Sequence, residues 1–129
     1  MEDAQFSDEF CRFLQTTVPS VDAAELLLLL ARDPARWWSA PEIVAALKPA
    51  PLTEADVART VEGYVARGLV AQGADRRVQY HPGNDELAGY VATLAQAYSE
   101  RPVTLIRVIY ALRDGKIRSF ADAFKLRKS

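Results

Sequence analysis

Between Thr53 and His81 the hydrophobic period changes once, and that change specifies a helix, a stop and a ribbon. Val57, Val61, Tyr64 and Val65 recur at three- and four-residue spacing, the stripe of a helix with one face on a core. Thr53 supplies a side-chain oxygen where such a helix needs its N-cap, and Gly68 ends it. Leu69-Val70-Ala71-Gln72 and Val78-Gln79-Tyr80-His81 are strand-like runs around Gly73-Ala74-Asp75-Arg76-Arg77. The pattern predicts a β-hairpin with a basic tip.

The same reading extends in both directions. Phe6, Phe10, Phe13 and Leu14 fall at helical spacing before Pro19. Ser20 and Asp22 are candidate caps for a helix over Val21 to about Arg32, whose run Leu26 to Leu30 is apolar all round and so belongs in a core. Asp33-Pro34 stops that helix, because the residue before proline is driven out of the helical region. Trp37-Trp38 forms a short strand in this reading. Ser39-Ala40-Pro41-Glu42 has capping-box spacing and opens a helix to about Leu47, with Lys48-Pro49-Ala50-Pro51 a stiff connection beyond it. After the hairpin, Asn84 or Asp85 caps a helix carrying Leu87, Tyr90, Val91, Leu94 and Tyr98. Residues 103–112 are rich in β-branched side chains, yet Leu105, Val108, Ile109 and Leu112 share a helical face, so helix is predicted. Ser119 and Asp122 mark a last capping box, before Phe120 and Phe124.

Composition narrows the classes. The chain has 129 residues, half of them apolar, which suits one domain with its own core. No apolar run is long enough for a membrane span, and the acidic N-terminus is unlike a secretory signal, so a cytoplasmic location is expected. One cysteine, Cys11, and one histidine, His81, leave no set for a disulfide framework or a transition metal. No cofactor is expected, and neither a phosphate loop nor a triad spacing appears, so an enzyme is not. Net charge is −1, but unevenly spread: Glu2, Asp3, Asp8 and Glu9 against Arg12 give −3 over Met1–Pro19, while eight Lys and Arg against Asp114 and Asp122 give +6 over Arg101–Ser129. Such asymmetry points either to a polyanion or to pairing of the two ends across a dimer.

The order helix, helix, helix, hairpin, with ARGLVAQ entering the hairpin, resembles the winged helix-turn-helix superfamily, broadly the MarR-like bacterial transcriptional regulators. The resemblance covers about Ser20 to His81 and implies a mainly α fold with a small β-hairpin. Within a single domain, 20–82 would be the winged-helix unit, and 1–19 and 83–129 would be flanking helices. It further implies a homodimer on duplex DNA, with the recognition helix in the major groove and the hairpin, or wing, on the minor groove or backbone. Carried onto this sequence, the DNA-facing residues are Thr53, Ala55, Asp56, Arg59, Thr60, Glu62 and Gly63 on the helix and Arg76 and Arg77 on the wing. Arg59 has the geometry for a guanine edge, but Glu54, Asp56 and Glu62 put three negative charges where phosphate contact wants cations. Arg76 and Arg77 serve either as phosphate contacts or as charges that keep an exposed ribbon soluble. The alternative is therefore a winged-helix protein-interaction module without sequence-specific DNA binding.

Phe6, Phe10, Phe13, Phe120 and Phe124 lie outside the winged unit and are assigned to a dimerisation layer, since short terminal helices need a surface for so many rings. Cys11 is expected to be a buried, inert thiol and His81 a structural residue. Of Trp37 and Trp38, one is expected inside and the other over the sheet edge. A small-molecule effector is compatible with this reading, but no residue names one.

Overall fold

Five of the six described helices begin where a short polar side chain takes up a free backbone N–H, and the sixth begins on a proline, which has none. The computed structural model of the chain describes residues 6–47 and 52–113. In order these form α1 (Asp8–Thr17), α2 (Val21–Arg32), α3 (Ala40–Ala46), α4 (Glu54–Ala66), β1 (Val70–Gln72), β2 (Val78–Tyr80), α5 (Asp85–Glu100) and α6 (Pro102–Arg113). Ser7, Ser20, Ser39, Thr53 and Asn84 each accept the N–H three residues on. At two of them the box closes: Ser39 N–H donates to Glu42 at 2.9 Å and Thr53 N–H to Asp56 at 3.1 Å. Gly68, at φ 78°, takes the left-handed turn out of α4 that a Cβ would oppose. The predicted connection Lys48–Pro51, the Ser119/Asp122 box and both C-terminal phenylalanines lie outside the described residues.

The core is built around α2. Leu26, Leu27 and Leu30 are fully buried there, and α2 packs against α5, α6 and β2. Tyr64 reaches across from α4 and donates its hydroxyl to the Ala23 carbonyl at 2.6 Å, while Tyr98 on α5 donates to the Glu25 carboxylate. Residues 102–113 are helical, as the shared face of Leu105, Ile109 and Leu112 requires, and all three are buried. The hairpin pairs antiparallel with Val70 opposite Tyr80 and Gln72 opposite Val78. Of the expected Trp37-Trp38 strand only Trp38 pairs, exchanging two backbone hydrogen bonds with Val78 at 2.7 and 2.9 Å. The molecule is thus mainly helical with a small two-stranded hairpin, edged by one bridging residue. No single helix among the described residues is long and apolar enough to cross a membrane.

One expectation is corrected here. Phe6, Phe10 and Phe13 do not form an exposed layer for a second subunit, because α5 and α6 fold back and cover α1 within the same chain. Phe6 meets Phe10 edge-on at 5.2 Å, Phe13 stacks on Tyr90 of α5 at 5.1 Å, and the Arg101 guanidinium lies 5.4 Å over the Phe6 ring. An amphipathic stripe says that apolar area must be covered, and nothing in it says by which chain.

Candidate nucleic-acid interface

The outer face of α4 is set by what its inner face buries. Val57, Val61 and Tyr64 turn inward, which leaves Ala55, Arg59, Glu62 and Gly63 exposed together with Thr53 and Glu54. Gly63 is open enough that a Cβ there would meet nothing within 4 Å. Three of the expected contact residues are occupied by the helix itself. Thr53 Oγ1 accepts from Asp56 N–H at 3.0 Å, Asp56 returns the bond to Thr53 N–H, and Thr60 Oγ1 donates to the Asp56 carbonyl at 2.9 Å. The Asp56 carboxyl is held below its ordinary range, chiefly by the Thr53 backbone N–H and then by the Thr53 hydroxyl. It therefore stays charged, and it holds the Arg59 guanidinium at 2.6 Å. The one arginine on this face with the reach for a base edge is already paired.

The hairpin tip presents its cations differently. Arg76 N–H donates to the Gly73 carbonyl at 3.1 Å and Gly73 N–H to the Arg77 carbonyl at 2.8 Å. These bonds close a tight turn followed by one left-handed residue, a position that favours glycine or asparagine. Here it is Arg76, at φ 69°. Its side chain is exposed and has no ion-pair partner among the described residues. Asp75 instead serves Arg77, accepting its backbone N–H at 3.1 Å and standing 3.5 Å from its Nε. Beside Arg77 a surface cleft of about 300 Å³ is lined by Trp37, Gly73 and Asp75. Trp38 is buried and Trp37 is exposed, the division expected of neighbours in an extended segment. Arg36 lies 3.6 Å over the Trp38 ring and 4.0 Å from Glu42.

No family model, curated protein or solved structure matches the chain. Its chemistry must be read from its own side chains. A second cleft, of about 430 Å³, lies between α1, the end of α4 and the start of α5. Phe13 and Tyr90 line it, and Arg12 and Arg67 are balanced there by Glu9 and Glu86, so its charges select no ligand class. Cys11 is buried, and burial followed by the nearby Asp8 carboxylate pushes its thiol up to about 11, the setting of an inert cysteine. His81 is exposed and closes the hairpin stem through its backbone N–H to Leu69 at 2.9 Å.

Sequence reasoning placed Arg76 and Arg77 at the tip but missed two things. The i, i+3 spacing of Asp56 and Arg59 was sufficient to anticipate their pairing. That Trp37 rather than Trp38 would face out, onto the same cleft as Arg77, had no signal in a Trp-Trp dipeptide.

Proposed function

We propose that the chain is a winged-helix DNA-binding regulator that meets duplex DNA first through its wing, with α4 as the recognition helix and a homodimer as the working form. The observation that carries this reading is Arg76. It is an exposed cation, free of a counter-charge among the described residues, on a hairpin that follows directly from α4 and is edged by Trp38. A residue kept in a strained backbone region at a tip is a sign of use, since glycine would sit there at lower cost. The order α2, Trp38, α3, α4, β1, β2 supports the winged-helix assignment, as the bridging residue occupies the place of that architecture's first strand. Phosphate contact dominates affinity for DNA, so binding should be modest and strongly salt-dependent.

The dimer cannot rest on Phe6, Phe10 and Phe13. What supports it now is the outer face of α6, where Val103 is 61% and Tyr110 48% exposed on one stripe that a two-fold axis can pair with itself.

A second reading has a specific observation in its favour. With Arg59 bound to Asp56 and Glu54 and Glu62 beside it, the α4 face suits a basic protein surface better than phosphates. The two separate in a salt titration of binding to mixed-sequence duplex fragments. The DNA reading expects affinity that falls steeply with salt, and a smaller slope after Arg76→Ala, Arg77→Ala. Millimolar affinity, unchanged by the double substitution, would leave only the interaction module.

A further inference from the structure

Trp37 is held in place on both sides. On one side Gln79 Nε2 donates to the Ala35 carbonyl at 3.0 Å, and on the other the Trp38–Val78 pair fixes the backbone. Its ring lies against the turn so closely that a Cβ on Gly73 would come within 3.3 Å of it. The indole is nevertheless 40% exposed, one of three large apolar side chains in that condition among the described residues. It opens into the cleft it shares with Arg77, one residue from Arg76. A large apolar ring left partly in water, packed against Gly73, sharing its cleft with Arg77 and lying near the exposed hairpin tip that carries Arg76, fits a partner that alternates anionic groups with apolar faces. A nucleic-acid strand has that chemistry.

We infer that Trp37 is a nucleic-acid contact, its ring packing on a deoxyribose of the duplex backbone while Arg76 holds a neighbouring phosphate. The inference rests on the proposed DNA-binding function and adds a residue and a contact type to it. Base faces in an intact duplex are stacked and closed to the indole. The sugars are the apolar surface available beside phosphates, and contact with them carries no sequence information. Asp75 lines the same cleft and balances the charge of Arg77 there, so the cation with no counter-charge among the described residues is Arg76, the next residue at the tip.

Salt dependence tells a sugar contact from a phosphate contact. Trp37→Ala is expected to weaken duplex binding about five- to tenfold, the scale of burying part of an indole, with the salt slope unchanged. Arg76→Ala is expected to lower the slope by about 1. Trp38 is buried, so the change in tryptophan fluorescence on adding duplex should be abolished in Trp37→Phe, a variant that keeps a ring against Gly73. If wild type shows no duplex binding, the functional reading itself fails. If wild type binds but Trp37→Ala binds equally and the fluorescence response survives in Trp37→Phe, the function stands and this inference is overturned. A single strand of the same sequence that binds more tightly, with deeper quenching of Trp37, would also overturn it, since the ring would then be stacking on bases.

Discussion

Arg76 is the residue at which stability and use pull apart. Its left-handed backbone costs an L side chain about 1 kcal/mol, which glycine does not incur. Arg76→Gly is therefore expected to raise the midpoint of urea denaturation while weakening duplex binding. A loss of stability would show that the side chain is structural after all. Cys11 makes the opposite case. Its thiol is pushed from 9.0 to about 11 by burial and by Asp8, so at pH 8 about one molecule in a thousand carries a thiolate, and a thiol reagent should label it only after unfolding. The folded pKa is raised, so the stability linked to this proton is whole below pH 9 and is lost as pH rises toward 11, where the unfolded chain ionises first. Denaturation at pH 8 and pH 10 should show that loss, and Cys11→Ala should reduce it. Tyr64 has a simpler role: Tyr64→Phe removes the hydroxyl from the Ala23 carbonyl and should cost about 1 kcal/mol.

At the scale of elements, the helix starts were legible because capping is a conversation among four residues. Ser20, Ser39 with Glu42, Thr53 and Asn84 all begin helices as their spacing says. What a helix does with its other faces is decided by distant chain. The inner face of α4 shows this: the stripe Val57, Val61 and Tyr64 was readable, but that Tyr64 would reach the Ala23 carbonyl of α2 was not, whereas the Asp56–Arg59 pair on the outer face is local. That pair yields a discriminating variant. Asp56→Asn removes a negative charge and releases Arg59, so under the DNA reading duplex binding should tighten and its salt slope steepen by about 1. An interaction module would show no such gain. Both outcomes are read in one titration, with helicity monitored because Asp56 also closes the Thr53 capping box.

At the scale of the molecule, buried residues of six helices and two strands, among the described residues, join one core, and α1 belongs to it. The aromatic content of α1 was plain in the sequence, but its destination was not, since α5 and α6 lie more than seventy residues on. If a dimer forms, it must use surface that this core leaves open. Sedimentation should then show Tyr110→Glu shifting dimer to monomer without loss of helicity, and an unshifted dimer would remove α6 from the interface. The docking of α1 also has a consequence in time. α1 packs on α5 and α6, which are made well after it, and at synthesis rates of about 5–20 residues per second its phenylalanines wait several seconds or more for their cover. The nascent chain therefore carries the phenylalanines of α1 uncovered for that interval, so chaperone dependence in this protein should track α1.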